Sequence, residues 1–231
     1  MHYAWFIWSL FLLILWLIIY TSIFTDEGRR EMRVVSSLGA PLGFAEFFFV
    51  PAYWTPQSLF DFAVRFHLDI ESFIVAFSIA GIASVIYEWF LKSAHGPLVV
   101  SKDSLGRYNF VPITLALVIF FVLLIVAEVS PIYAACIALL IGAIIIGYER
   151  RDLVKKILIG GILFSLFYLL ILFVLTTIYP DFLLSALNIS ILSVSGTVAD
   201  IPWSQVMFSL SYGFFFSGIY EYVFRRKLIG N

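Results

Sequence analysis

Apolar residues along this chain fall into seven long runs, at about 4–24, 34–52, 70–91, 110–129, 131–148, 154–179 and 202–224. Each run holds about 18–26 residues, enough to span roughly 30 Å of hydrocarbon at 1.5 Å per residue. The pattern predicts seven transmembrane helices. The basic residues between the runs sort into alternate segments. Arg29, Arg30 and Arg33 lie between runs one and two; Lys92, Lys102 and Arg107 between three and four; Arg150, Arg151, Lys155 and Lys156 between five and six; Arg225, Arg226 and Lys227 after seven. The other set of segments holds Arg65 alone. Positively charged short loops stay in the cytoplasm, so the partition predicts an amino terminus outside and a carboxyl terminus inside. A wrong helix count would scramble this sorting, so the charges test the hydropathy independently.

Composition agrees. The 231 residues are 62% hydrophobic and 13% charged, with a mean hydropathy of +1.04. A soluble domain is nearer half apolar and a quarter charged. No connection between runs exceeds about 25 residues, so a separate soluble domain has no room. Residues 1–231 read as one all-α, multi-pass domain of the cell membrane, with the bilayer as its first partner. The start of the chain carries no Lys or Arg before its apolar run, and Tyr3, Trp5, Phe6 and Trp8 suit a membrane–water interface. It reads as a retained first helix rather than a cleaved signal. The single cysteine, Cys136, lies inside run five and excludes an intrachain disulfide. Aromatic residues make up 19% of the chain. They serve as lipid-facing bulk and interfacial belts, or in part line a pocket for an apolar ligand. The net charge of −1 specifies no partner. No nucleic acid is expected, and a homo-oligomer is compatible with the pattern.

The chain also resembles itself. Residues 69–88 (DIESFIVAFSIAGIASVIYE) align without a gap on 202–221 (PWSQVMFSLSYGFFFSGIYE), pairing Tyr87-Glu88 with Tyr220-Glu221 and Ser78 with Ser211 at a shift of 133. RREMRV at 29–34 matches RRDLVK at 150–155, and Pro51 has a counterpart in Pro180. These matches predict two three-helix units, 1–92 and 131–231, joined by a linker helix within 93–130. One intervening helix makes both units enter the membrane in the same direction. They are then parallel repeats related by an axis along the membrane normal, an arrangement in which ligand sites lie between the halves.

Few residues could carry chemistry. Glu46 lies within run two, where an ionised carboxylate costs at least about 2.5 kcal/mol, so it should face the interior. Gly39, Ala40 and Gly43 beside it allow close helix approach, and Pro41 frees a backbone carbonyl. Asp69 and Glu71 open run three. Asp69 suits a helix N-cap, and Glu71 sits one step deeper beside Ser72. With Glu46 they could converge on one outward-facing pocket, where paired carboxyls can hold a proton. Glu88, Glu149 and Glu221 each follow a Tyr at an inner helix end and read as interfacial ion pairs; Glu128 reads as solvated. His2, His67 and His95 lack metal-ligand spacing, so no metal site is expected, and no nucleotide-binding glycine motif is present. Run seven has no lysine, which excludes a retinal Schiff base.

Each unit thus has a helix, a charged inner turn, a second helix, an outer loop with Trp and Pro, and a third helix ending in Tyr-Glu. This resembles the lycopene cyclase domain family, whose units bear a Pro-x-Glu-Glu or Pro-x-Glu-Asp motif before a Phe-rich helix ending near Tyr-Glu. Here the first unit has YWTPQSLFDF at 53–62, then Asp69-Ile70-Glu71-Ser72; the second has Pro202-Trp203-Ser204-Gln205. The first motif keeps one Glu and replaces the Pro by Asp69. The second keeps the Pro and carries Ser204 and Gln205 in place of the acids. The resemblance implies redox-neutral, proton-initiated cyclisation of a linear carotenoid or isoprenoid end group, without a cofactor. Glu71, Glu46 and Asp69 would be its catalytic acids, with Asp200 as a further carboxyl. Trp54, Phe73, Trp203, Ser204 and Gln205 would contact the substrate. The alternative is a non-enzymatic lipid-binding or interaction protein that keeps the cyclase-domain fold; a transporter would need more polar residues at mid-depth than helices one, four and five supply.

Overall fold

A computed structural model describes residues 3–92, 94–97, 109–180, 182–187, 197–198 and 201–229. Every apolar run contains helix. Helix α1 is Ala4–Ser22. Helix α2, Asp26–Gly39, starts earlier than the hydropathy suggests and takes in the basic turn, because the Thr25 side chain accepts the Gly28 amide at 3.1 Å and Asp26 and Glu27 lie at the positive helix end. The second run is then broken. Residues Ala40–Ala45 wind more tightly as a 3-10 turn and α3 covers only Glu46–Phe49, since Pro41 offers no N–H and its ring crowds a regular α-helix. There follow α4 (Phe62–Phe66), α5 (Ile70–Leu91), α6 (Val111–Ile125), α7 (Pro131–Glu149), α8 (Val154–Ile178), α9 (Phe182–Ala186) and α10 (Trp203–Phe224).

Four stretches are long and apolar enough to cross a membrane: Ala4–Ser22, Ile70–Leu91, Pro131–Glu149 and Arg151–Ile178. This marks a membrane protein. Among the others, α6 is apolar but short, and α10 has the length but carries Gln205, four serines and Glu221.

Helices α5 and α10 form the centre. Helix α5 packs on α1 and α2, α10 packs on α7 and α8, and the two central helices pack on each other, while α6 lies on α7. From Ser78 to Glu88 every residue of α5 is buried, as expected of a helix that is apolar all round. Missing side chains permit the close packing. A Cβ on Gly39 would fall 2.3 Å from that of Ala80, and one on Gly213 2.8 Å from the Gly161 carbonyl.

The bundle is not purely helical. Strand β1 (Ala94–Pro97) pairs antiparallel with β4 (Arg226–Ile229), and β2 (Thr197–Val198) with β3 (Ile201–Pro202). The first pair joins the tails of α5 and α10. Both helices end in a left-handed residue, Lys92 and Arg225, each with φ 51°, which turns the chain off the helix axis and leaves the next backbone groups free to pair. At the opposite end, here termed upper, Trp54 bridges to Leu187 and the Thr55 amide donates to the Ala186 carbonyl at 2.6 Å.

Candidate functional site

Between the two central helices and α6–α8 lies a cavity of about 460 Å³. Along α10 it runs from Gln205 to Ile219, about 21 Å at the helical rise per residue. Its shape is a slot rather than a round chamber. The lower part is aliphatic and aromatic, with Ile79, Phe208, Tyr212, Phe215 and Phe216; polar groups gather at its upper head.

Two corners make that head. In the first, Glu46 at the start of α3 is buried, and its Oε2 accepts the Ser72 hydroxyl at 2.9 Å. The other oxygen, Oε1, is buried, and the Trp54 side chain stands within hydrogen-bonding reach of the carboxyl. The break at Ala40–Ala45 places this acid, since it ends the regular helix and restarts it at Glu46. In the second corner, Tyr168 of α8 donates to Gln205 Oε1 at 2.9 Å, Gln205 Nε2 donates to the Tyr53 oxygen at 2.9 Å, and Tyr53 and Ser204 share a hydrogen bond of 3.0 Å. Burial pushes the Tyr53 phenol up to about 12, so it remains protonated. Positions 72 and 205, equivalent under the shift of 133, both line the slot; 71 and 204 do not.

The residues expected from sequence therefore divide. Glu46, Trp54 and Gln205 line the cavity; Asp69, Glu71, Phe73, Trp203 and Ser204 are absent from its wall. Glu71, expected beside Glu46 with aromatic faces around it, is 1% exposed and turned instead to the loop before α4, where Oε1 accepts the Leu59 amide at 2.6 Å. That loop forces Phe60 and Asp61 to positive φ, and a buried carboxylate holding its amide offsets the strain. Asp69 caps α5, Oδ1 accepting the Ser72 amide at 2.6 Å, while Oδ2 accepts the Trp5 indole N–H at 3.2 Å. It acts on the site by positioning: Trp5 lines the cavity, meets Trp54 edge-on at 4.6 Å and stacks on Phe182 at 6.2 Å. Burial pushes the Asp69 carboxyl up to about 6, against the pull of its hydrogen bonds with Ser72. Phe73 packs its ring edge-on to Phe44 at 4.9 Å, Trp203 is exposed, Ser204 reaches the site through Tyr53, and Asp200 lies outside the described residues.

Sequence reasoning missed Tyr53, Tyr168 and Trp5. Tyr168 was legible as the one tyrosine at mid-length of run six. It also missed a charged knot at the lower end. Lys156 Nζ lies 3.1 Å from Glu31, 2.5 Å from Glu88 and 2.5 Å from Glu221, every one of them buried. Oxygens of the three carboxylates come within 4.8 Å of one another, a spacing that a cation fills; the cation is the Lys156 ammonium. Glu88 and Glu221 are thus ion-paired, as expected, and buried within the bundle rather than exposed on it. Glu149 and Glu128 are exposed, and Glu149 accepts the Tyr222 hydroxyl.

A bundle of membrane-spanning helices enclosing an apolar slot, with a carboxyl at its head, defines a membrane protein compatible with a hydrophobic ligand. Residues 130–223, from the start of α7 almost to the end of α10, match the family model for lycopene cyclase. The match supports the lycopene cyclase domain family that the sequence motifs resemble, and the domain suggests a carotenoid cyclase-like function. No curated protein and no solved structure matches the chain.

Proposed function

We propose that this protein is a membrane carotenoid or isoprenoid cyclase-like isomerase, with Glu46 as its acid. The observation that carries the reading is the head of the slot, where a buried carboxyl lines the cavity with one oxygen fixed by Ser72 and the Trp54 side chain beside it. In its acid form Glu46 would add a proton to the terminal double bond of a linear polyene. The resulting cation is attacked by an internal double bond of the same chain, which closes a ring, and loss of a proton from the ring restores a double bond. The formula is unchanged, so no oxidant or reductant enters. Aromatic faces along the slot favour cationic character, and exclusion of water keeps the cation from being quenched. The Tyr53–Gln205–Tyr168 corner offers neutral hydrogen bonds at the same head of the slot.

The architecture we propose has seven crossings, the amino terminus outside and the carboxyl terminus inside, with parallel units 1–92 and 131–231 about the linker helix α6. The charge partition supports the orientation. Three pairings support the repeat: Trp54 with Leu187, His95 with Leu228, and the left-handed caps Lys92 and Arg225 are each 133 residues apart. Antiparallel contact between equivalent segments is what a two-fold axis through the slot would generate.

The test is expression in a host that accumulates a linear carotene, with analysis of the pigments. The wild-type chain should yield a ring-bearing isomer, and Glu46→Gln at equal protein level should not. An unchanged product from Glu46→Gln would remove Glu46 as the acid. No product from the wild type would leave a ligand-binding protein that keeps the cyclase-domain fold.

A further inference from the structure

The slot is closed at both ends. Over its head, the Trp54–Leu187 bridge and the Thr55–Ala186 hydrogen bond join the two upper loops, and Trp5 is wedged between Trp54 and Phe182. At its foot, Phe215, Phe216 and Ile219 are buried, with the Lys156 knot beyond them. The side wall differs. Leu38, Pro41 and Phe44 of the broken second helix line the slot and are also exposed on the flank of the bundle, as are Leu117 and Phe121 of α6. Residues that belong to an interior cavity and to the outer surface at once mark its mouth. The helices on either side hold mainly to different neighbours, the second run to α5 and α6 to α7, with a smaller contact of α3 on α7. Where they meet, Phe48 touches Phe120 and Phe121 edge-on at 6.1 and 5.5 Å. Aromatic edges make a weak contact, and the 3-10 turn at Ala40–Ala45 has the poorer hydrogen-bond geometry of i→i+3 bonds, which stiffens this flank less than a regular α-helix would.

We infer that the slot is loaded sideways from the bilayer, through the seam between residues 38–48 and α6, by a linear apolar chain whose leading end comes to rest at Glu46. The inference rests on the proposed reading for the nature of the ligand, and on the geometry alone for the route. Phe48 and Phe121 form the latch. The roof of paired loops does not open, and the trailing part of the ligand lies among the lipids while its tip reacts.

The route can be tested with parinaric acid methyl ester, a linear conjugated tetraene, dissolved in the bilayer of vesicles and mixed with protein in nanodiscs. Transfer into the slot quenches the emission of Trp5, Trp8 and Trp54, which line it. Two cysteine pairs are made in a Cys136→Ser background: Phe48→Cys with Phe121→Cys across the seam, and Thr55→Cys with Ala186→Cys across the roof. Each is closed with a reducible thiosulfonate cross-linker. Locking the seam should slow quenching by about tenfold or more, as for a gated site, with full recovery on reduction. Locking the roof should leave the rate within about twofold. Quenching that is lost on locking the roof, or that is indifferent to both locks, would overturn the inference, as would a wild-type protein that never quenches. Reversible control by the seam in a protein that makes no ring-bearing pigment would leave the route standing and remove the cyclase reading instead.

Discussion

At the upper head of the slot one carboxyl on the wall, Glu46, is held by a serine that Asp69 also holds, and it shares the head with neutral phenols and an amide. At the lower end three carboxylates from α2, α5 and α10 close around one ammonium from α8. Both regions are buried, and both draw on the two halves of the chain. They differ in what happens when one member is removed. The lower knot is a set of mutual counter-charges, and deleting the shared ammonium leaves three buried carboxylates close together without the cation between them. The upper corners are bonded pairwise through neutral groups, so one member can change with little effect on the fold. The comparison teaches that in this bundle strong electrostatics secures the assembly, while the weaker polar contacts sit where a ligand must come and go.

The largest expected effect follows from the knot. Lys156→Met keeps the length of the side chain and deletes the charge. Breaking a buried ion pair by removing one partner costs about 3–5 kcal/mol, and here three acids lose the same partner. The variant should unfold at much lower denaturant in micelles, or fail to accumulate. Glu88→Gln, which leaves the ammonium two carboxylates, should be far milder. Equal stability of Lys156→Met and wild type would break the contrast between the two regions.

Next comes the head of the slot. Glu46→Gln should lower ring formation by about 10²–10⁴-fold, the usual range for removing a general acid, with an unfolding midpoint close to that of the wild type. Ser72→Ala should lower activity less, because it frees the carboxyl without removing its proton. A Glu46→Gln protein that loses stability as Lys156→Met does would show that the upper acid is structural after all.

Most of the scaffold was legible. Each apolar run contains helix. What escaped was direction and depth. Lys155 and Lys156 look alike in a basic string, yet adjacent helix positions face about 100° apart, so Lys155 is exposed and Lys156 is 1% exposed. Asp69 and Glu71 were expected to converge with Glu46 on one pocket, and of the three only Glu46 lines the cavity. A capping residue points back along its own helix start, and Glu71, two residues on, was captured by the strained loop before α4. Glu46 was legible because a carboxyl inside an apolar run has no inexpensive place except the interior. Tyr53 gave little signal, since in a chain with twelve tyrosines no spacing singles it out.

Glu71 sharpens the comparison from the structural side. Its carboxylate accepts the Leu59 amide, so Glu71→Ala leaves a half-buried donor without that acceptor, at a cost of about 1 kcal/mol. Limited proteolysis should then cut within residues 55–66 faster than in the wild type. Glu71→Gln retains an acceptor oxygen and should preserve both the loop and the product. Loss of product in Glu71→Gln with an intact loop would return Glu71 to the catalytic set and displace the role given to Glu46.

The smallest effect concerns Asp69 and pH. Its ordinary value is 3.8, and burial raises it to about 6 in the folded protein. Between those values the folded chain binds the proton and the unfolded chain does not. The stability it contributes is therefore complete below about pH 4, declines as pH rises through about 6, and is constant above. The change should be about 1–3 kcal/mol. Asp69→Asn tests it, because the amide oxygen still caps Ser72 while the group no longer ionises. Its NH₂ meets the Trp5 indole N–H in place of an acceptor, so the variant should be less stable than wild type by about 1 kcal/mol at pH 4. The gap should narrow or reverse by pH 7.5, when the wild-type carboxylate bears the burial penalty that the amide escapes. A gap that widens with pH would mean that the two hydrogen bonds to the ionised carboxylate outweigh its desolvation. Asp69 would then resemble the counter-charged knot below rather than the neutral corners above.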